Sequence, residues 1–189
     1  MKNERATLLK LLGLCLAYPD SSIVEAWPEM EEAAAGLSDP LARKGLLDYM
    51  ALLKAQPLLA LQEHYTAVFD MNPSASLNLT FHLMGDREER GIALAELLDV
   101  YRRAGFEPAV NELPDYLPLL LEFLAASPQS ETHTLVRRCL AAVPEIAGRL
   151  RKSGSMFVAP LELVRGAFPE TTGAFRSPGE GSPSSASGV

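Results

Sequence analysis

The sequence has little of the chemistry that enzyme and metal sites need. Among its 189 residues it holds two cysteines, Cys15 and Cys139, and three histidines, His64, His82 and His133. None of them stands at a spacing typical of metal ligands, and no HExxH or CxxC motif is present. Glycine-rich phosphate loops and nucleophile elbows are also missing. We therefore predict no catalytic residue, no metal ligand and no cofactor-binding residue.

Apolar runs long enough to cross a bilayer, about 20 residues, are absent as well, so no membrane insertion is predicted. The run from Leu8 to Ala17 follows basic residues and resembles a secretory signal. Glu4 and Lys10 interrupt that pattern, and no small-residue cleavage site precedes Tyr18. We interpret the run as a core helix. Two distant cysteines fit a reducing compartment, which predicts a cytoplasmic protein.

Basic residues are fewer than acidic ones: 17 Lys and Arg stand against 24 Asp and Glu, for a net charge of −7. A nucleic-acid partner is disfavoured because phosphate binding requires a basic surface. The acidic balance suits a basic partner, but it also suits solubility alone. With 48% hydrophobic and 22% charged residues, the composition is that of a globular protein.

The centre of the sequence contains two strong helix signals. Asp86 with Glu89 predicts a capping box, and Gly105 predicts the end of the helix that follows. Asp115 predicts the N-cap of a second helix, with Pro118 in its first turn. The two apolar faces consist of Leu94, Leu97, Leu98 and Tyr101, and of Leu113, Tyr116, Leu117, Leu120, Leu121 and Leu124.

Similar signals predict the other helices. They cover about residues 3–17, 22–35 (capped by Ser21 or Ser22), the stretches that begin at Pro40 and Pro57, 129–143, a continuation after Pro144, and 160–167. Residues 77–83 alternate apolar with polar side chains and form either a short helix or an extended packing segment. The predicted fold is all-α, a single-domain bundle of about seven to eight helices over residues 1–168, with a disordered Gly/Ser/Pro-rich tail over 169–189.

A combination of short motifs resembles the NarJ-type nitrate reductase assembly chaperones, part of the TorD/DmsD group of redox-enzyme maturation proteins. The resemblance covers about residues 5–168. Its motifs are Leu61-x-x-x-Tyr65-x-x-x-Phe69-Asp70, Leu79-Thr80-x-His82-x-x-Gly85-Asp86-x-x-x-Arg90-Gly91-x-Ala93-Leu94-x-x-Leu97, Tyr101-x-x-x-Gly105 and Glu112-Leu113-Pro114-Asp115-x-Leu117-Pro118-Leu119-x-Leu121-Glu122.

This resemblance implies a TorD-like fold and a cytoplasmic chaperone that is not an enzyme and holds no cofactor. Its partner would be the N-terminal peptide of the apo catalytic (alpha) subunit of a respiratory nitrate reductase. The chaperone would keep that subunit competent for molybdenum cofactor and iron–sulfur insertion and delay its docking to the membrane, with a role in nitrate assimilation. The resemblance further implies a monomer or a helix-swapped dimer.

A basic, amphipathic segment of that kind fits a groove with an apolar floor and an acidic rim. Tyr65 and Phe69 are predicted for the floor, although aromatic residues at helical spacing are more often core. Arg90 can instead pair with Asp86, and His82 can instead be satisfied at a helix end. The candidate peptide-binding residues are Tyr65, Phe69, Asp70, His82, Asp86, Arg90, Glu112, Asp115, Tyr116 and Glu122.

Three alternatives remain open at the level of sequence. The first is a TorD- or DmsD-like chaperone for a twin-arginine signal peptide of another molybdoenzyme. The second is a helical adaptor with no link to redox enzymes. The third, a nucleotide-handling enzyme, is the least favoured because no phosphate-binding loop is present.

Overall fold

The computed structural model describes residues 2–108 and 112–172, and over these residues the chain is helical. No β-strand lies within them, and no helix among them is long and apolar enough to cross a membrane. The α-helices are α1 (Lys2–Leu16), α2 (Ser21–Ala35), α3 (Pro40–Lys54), α4 (Leu58–Tyr65), α5 (Leu79–Met84), α6 (Glu88–Arg103), α7 (Leu117–Ala126), α8 (Thr134–Leu140), α9 (Val143–Lys152), α10 (Val158–Ala167) and α11 (Pro169–Thr172).

The packing of α1 against α7 forms the centre of the bundle. Leu12 and Leu16 of α1 and Leu120 and Leu121 of α7 are fully buried. Most of α7 is apolar on all sides, as expected of a helix that is surrounded by others. The two helices approach closely at Gly13 of α1, where an added Cβ would lie 3.1 Å from the carbonyl oxygen of Pro118 in α7. A larger residue at this position would require the two helices to shift slightly apart.

Two helix starts in the first third of the chain are capped by aspartates. Asp39 accepts a hydrogen bond from the backbone N–H of Leu41 at 2.9 Å, and Pro40 is the first residue of α3, as predicted. The cap of α2 is a correction, because Asp20 accepts from the N–H of Ile23 at 3.0 Å and Ser21 is already helical. An aspartate cap satisfies a backbone N–H at the helix terminus in the same way as the predicted serine cap would.

The predicted capping box at Asp86 is wrong. Helix α6 begins at Glu88 with Arg87 as N-cap, and no side chain accepts a hydrogen bond there. The Asp86 side chain is 86% exposed, and its carboxylate lies 3.8 Å from the Arg90 guanidinium, which is the alternative pairing expected for that arginine. The end of α6 agrees with the prediction, since Gly105 adopts a φ of 73° two residues after Arg103.

Asp115 is the second corrected cap. Helix α7 begins at Leu117 with Tyr116 as N-cap, and the Tyr116 side chain makes no capping hydrogen bond to the helix. The Asp115 carboxylate instead accepts from the backbone N–H of Thr80 at 3.0 Å, in the first turn of α5. The carbonyl of Asp115 also accepts from the N–H of Leu79 at 3.0 Å. Asp115 therefore caps a helix that lies 35 residues earlier in the chain.

The segment predicted as either helical or extended is both. Asn78 is extended and forms an isolated antiparallel bridge with Tyr116. The N–H of Leu117 donates to the carbonyl of Leu77 at 2.9 Å. Helix α5 then runs from Leu79 to Met84. The alternating pattern therefore covers one bridged residue followed by a short helix, and not a continuous strand.

The last third of the chain contains more and shorter helices than predicted. The helix expected over 129–143 is a 3₁₀ turn, Pro128–Thr132, followed by α8, and Pro144 restarts the chain as α9. With these breaks, the described residues hold nine α-helices of seven residues or more, against the seven to eight predicted. Helix α11 lies beyond the predicted boundary at residue 168. Residues 173–189 of the predicted tail lie outside the described residues, so the division at 168 stays a prediction.

Candidate functional site

Two adjoining pockets lie on either side of Tyr116, and we call them together the Tyr116 groove. The first, of about 390 Å³, lies between α1 and the start of α7 and is mainly apolar. The second, of about 250 Å³, lies beside residues 76–78 and is mainly polar. The apolar pocket is lined by Lys10, Gly13, Leu14, Ala17, Glu112, Tyr116, Pro118, Leu119 and Glu122. The polar pocket is lined by Tyr65, Phe69, Asp70, Ser76, Leu77, Asn78 and Tyr116.

The close approach of α1 and α7 shapes the apolar pocket. Gly13 and Ala17, one helical turn apart, present almost no side chain toward it. Leu14 between them is 39% exposed, an unusual position for a leucine in the central helix of a bundle. The result is a shallow apolar surface that can accept side chains from a second helix.

A pair of phenols separates the two pockets. The hydroxyl oxygens of Tyr65 and Tyr116 are 2.6 Å apart, and the Tyr65 hydroxyl also donates to the carbonyl of Leu16 at 3.2 Å. Burial raises the pKa of Tyr116 to about 12, and the nearby carboxylates of Glu112 and Asp70 act in the same direction. Burial raises the pKa of Tyr65 as well. Both phenols are neutral at pH 7 and can donate or accept hydrogen bonds.

A π-helical turn, Thr66–Asp70, follows α4 directly and forms one wall of the polar pocket. The N–H of Met71 donates to the carbonyl of Thr66 at 2.9 Å, which closes the wide turn. Phe69 is buried against Tyr65, with ring centroids 4.9 Å apart, while Asp70 is exposed at the pocket. Turns of this kind are frequent at functional sites.

Three carboxylates lie along the groove: Asp70 in the polar pocket, and Glu112 and Glu122 in the apolar pocket. Within the described residues, none of the three has a hydrogen-bond or ion-pair partner. Lys10 is the one basic residue among those that line the two pockets. The groove therefore presents unpaired negative charge beside an apolar surface, an arrangement that attracts a cationic, amphipathic ligand.

Six of the ten predicted site residues line this groove: Tyr65, Phe69, Asp70, Glu112, Tyr116 and Glu122. The predicted floor differs in detail. Tyr65 and Phe69 are only 3% and 4% exposed, so they are core residues that border the polar pocket. The apolar floor is made by residues that the sequence prediction missed, mainly Leu14 and Leu119.

The other four predicted residues line neither pocket. Asp115 is fully buried, so it cannot form part of a rim. Arg90 donates to the hydroxyl oxygen of Thr80 at 3.1 Å and lies 3.7 Å from the Asp115 carboxylate. His82 donates from Nε2 to the carbonyl of Ser76 at 2.7 Å, and so supports the wall of the polar pocket from behind. Asp86 is exposed at the start of α6. For Arg90, His82 and Asp86, contact with a partner stays a prediction.

One signal in the sequence points to the missed residues. Gly13 and Ala17 are small residues four positions apart in a leucine-rich helix, a spacing that lets another helix approach. Leu14 also lies off the apolar face that helical spacing predicts for this helix, formed by Leu8, Leu11, Leu12 and Cys15. No group of histidine, cysteine and acidic side chains that could hold a metal ion occurs in the part of the chain that the structure describes.

The fold matches that of a solved structure. It superposes on a crystal structure from Archaeoglobus fulgidus, described as that of a candidate redox enzyme maturation protein, with a TM-score of 0.63 at 22% identity. The match covers 87% of this chain and 93% of that one. The all-helical, TorD-like fold predicted from the sequence is therefore confirmed.

Sequence comparison gives the particular family. The nitrate reductase delta subunit family matches residues 25–157, and the chain belongs to this family. It is 32% identical to the probable nitrate reductase molybdenum cofactor assembly chaperone NarJ of Bacillus subtilis, over 87% of this chain and 90% of that protein. It is 31% identical to NarJ of Escherichia coli K12, over 82% and 67% of the two chains. These relatives are assembly chaperones, and the chain is a chaperone rather than an enzyme.

Proposed function

We propose that this protein is a nitrate reductase assembly chaperone that holds the N-terminal segment of the apo catalytic subunit in the Tyr116 groove. Molybdenum cofactor and iron–sulfur insertion would take place on the held subunit, and its docking to the membrane would wait until the segment is released. The observation that carries the proposal is the apolar surface between α1 and α7 with unpaired carboxylates beside it. The names of the relatives from B. subtilis and E. coli support the choice of target.

The groove suits a segment that binds as an amphipathic helix. Apolar side chains of such a helix would pack on Leu14 and Leu119 and leave water, at about 25 cal/mol per Å² of apolar area buried. Cationic side chains on its flanks would meet Glu112 and Glu122. Charge pairs of this kind raise the association rate and fix orientation more than they add affinity.

On this proposal the chaperone supplies a surface and no chemistry of its own. The cofactor and the cluster are cargo of the catalytic subunit. The protein would act in the cytoplasm, where the subunit is synthesised and where Cys15 and Cys139, both buried and unpaired, would remain reduced. We propose a monomer or a helix-swapped dimer as the active form, and size-exclusion chromatography with light scattering distinguishes the two.

Calorimetry with a synthetic peptide of the first residues of the cognate catalytic subunit tests the proposal. We expect Leu14→Ser to weaken binding about tenfold, equivalent to about 1.4 kcal/mol. Leu59→Ser is the matched control, because Leu59 is a 66% exposed helical leucine that lines neither pocket. Equal weakening in the two variants, or no binding to the wild-type protein, contradicts the proposal.

The TorD/DmsD-like alternative predicts a different preference. A twin-arginine signal peptide from another molybdoenzyme, titrated under the same conditions, would then bind more tightly than the nitrate reductase peptide. The unrelated-adaptor alternative predicts that deletion of the gene leaves nitrate reductase activity unchanged. We expect the nitrate reductase peptide to bind more tightly and the deletion strain to lose activity.

A further inference from the structure

The polar pocket differs in chemistry from the apolar pocket beside it. Asp70 places a carboxylate at this pocket, and Asn78 and the Tyr65–Tyr116 hydroxyl pair add neutral hydrogen-bonding groups. Neither the Asp70 carboxylate nor the Asn78 side-chain amide has a hydrogen-bond partner within the described residues. The pocket thus offers oxygen acceptors and a negative charge in a space that no side chain of the described chain fills.

The walls of this pocket are fixed by contacts around it. The π-helical turn holds Asp70 on one side. On the other side, His82 anchors the carbonyl of Ser76, and Asn78 is bridged to Tyr116. These contacts fix the backbone that carries the acceptors, so a ligand would have to order only the side chains of Asp70 and Asn78. Preorganisation of this kind lowers the entropic cost of binding.

We infer that the polar pocket receives one arginine guanidinium of the bound segment, held by the Asp70 carboxylate and the oxygen atoms of Asn78 and the tyrosine pair. A guanidinium carries five N–H donors in a plane, which matches several acceptors around one space better than a single ammonium point charge does. The volume of about 250 Å³ is several times the roughly 30 Å³ occupied by one liquid water, which leaves room for the side chain. This inference rests on the proposed function.

The shared wall at Tyr116 gives the inference a geometric consequence. Because the two pockets share Tyr116 as a wall, we expect the side chains that enter them to come from neighbouring positions on one face of the bound helix, which are about 5–6 Å apart. The bound segment would therefore carry an apolar residue and an arginine at i and i+3 or i+4, and these two residues would set its direction along the groove.

Citrulline scanning of the peptide tests the inference, because citrulline has the shape of arginine without its charge. Each arginine of the synthetic N-terminal peptide is replaced in turn, and each peptide is titrated against the wild-type protein and Asp70→Asn. We expect one replacement to weaken binding to the wild-type protein about tenfold. The same replacement should hardly change binding to Asp70→Asn, because the carboxylate that the arginine would contact is already absent. Glu63→Gln is the control, because Glu63 is an exposed residue of α4 outside the groove. In this variant, each citrulline replacement should weaken binding as much as it does in the wild-type protein.

The outcomes separate the inference from the proposed function. If the unmodified peptide does not bind, both are overturned. If it binds but no citrulline position is coupled to Asp70, or if all positions weaken binding equally, only the arginine pocket is overturned. Asp70 is exposed and lacks an intramolecular partner, so Asp70→Asn should melt within about 1 °C of the wild-type protein, which confirms that the variant is folded.

Discussion

Asp115 caps α5 from a distance of 35 residues: its carboxylate accepts the backbone N–H of Thr80 at 3.0 Å. The same carboxylate oxygen also accepts the Thr80 hydroxyl and lies 3.7 Å from the Arg90 guanidinium. This network joins the start of α7 to α5 and α6, behind the Tyr116 groove. An acidic residue that resembles a rim residue in the sequence is thus a buried structural group.

We expect Asp115→Ala to lower the free energy of unfolding by about 3 kcal/mol or more, because it leaves Thr80 and Arg90 without their buried acceptor. Urea unfolding followed by circular dichroism measures the change. Asp70→Asn is the control, since Asp70 is exposed and unpaired, and should stay within about 0.5 kcal/mol of the wild type. A loss below about 1 kcal/mol in Asp115→Ala would show that the network contributes little to stability.

We expect Gly13→Ala to be destabilising by about 1 kcal/mol, although alanine favours a helix. The added Cβ would lie 3.1 Å from the Pro118 carbonyl oxygen and push α1 and α7 apart. The matched control is Gly91→Ala in α6, where nothing lies within 4 Å of the added Cβ and where alanine should stabilise by up to about 1 kcal/mol. Thermal melts of the two variants should shift in opposite directions, and shifts of the same sign would contradict the tight approach.

Neutralising the groove carboxylates should slow binding of the N-terminal peptide. For Glu112→Gln with Glu122→Gln we expect a several-fold lower association rate at low salt, and a smaller difference at about 0.5 M salt, where charges are screened within about 4 Å. Stopped-flow fluorescence with a labelled peptide measures the rate. The control pair, Glu88→Gln with Glu89→Gln, lies at the start of α6 outside the groove. An equal decrease of the association rate in both double variants would show that the net charge of the protein, and not the groove carboxylates, causes it.

Stability should fall at alkaline pH because buried tyrosines ionise only after unfolding. Burial raises the pKa of four tyrosines in the folded state, while in the unfolded chain each has a pKa near 10. Their contribution is therefore complete below about pH 10 and is lost as the pH rises, at up to about 1.4 kcal/mol per pH unit for each tyrosine. The four residues are Tyr49, Tyr65, Tyr101 and Tyr116.

Urea midpoints measured from about pH 8 to pH 11 test this dependence. Tyr116→Phe removes one titrating group whose folded pKa is about 12. Above pH 10, the free energy of unfolding of this variant should fall less steeply with pH than that of the wild type. The difference should correspond to about one proton, or up to about 1.4 kcal/mol per pH unit. An unchanged slope would mean that Tyr116 ionises in the folded protein as it does in the unfolded chain.

His82 should contribute an acid-side pH dependence. Burial lowers its pKa below 6.5 in the folded state, against a weaker opposing effect of its hydrogen bond to Ser76. A lowered pKa means that the unfolded chain binds the proton more tightly, so stability is lost as the pH falls below about 6.5. His82→Gln keeps a donor for Ser76 and cannot titrate. Its free energy of unfolding should vary less with pH between about 7 and 5 than that of the wild type.

Local features of the fold were predictable because they depend on neighbouring residues. The start of α3 at Pro40 and the end of α6 at Gly105 follow from proline and glycine backbone geometry alone. The apolar faces of α6 and α7 largely follow from helical spacing, and Leu97, Tyr101 and Leu120 are fully buried as expected. Leu113, predicted for the second face, is wrong, because it precedes α7 and is 42% exposed.

Contacts between distant residues were not predictable in this way. Asp86 and Asp115 have the same favourable sequence context for an N-cap, yet one is exposed and the other is buried beneath a different helix. The sequence shows which residue can act as a cap, but not from which backbone N–H its side chain will accept a hydrogen bond. Burial of the Asp115 side chain is decided by where α5 docks.

The sequence by itself determined that this protein is all-helical, acidic and a member of a chaperone family, because helical periodicity, charge and motif order are properties of the chain alone. Only the tertiary structure decided where a ligand can bind. Leu14 lies at the groove where α1 and α7 approach closely at Gly13. Tyr65 is buried among distant residues, with its hydroxyl hydrogen-bonded to Leu16 and Tyr116 and its ring against Phe157. Both arrangements depend on packing between segments far apart in sequence, which local patterns do not encode.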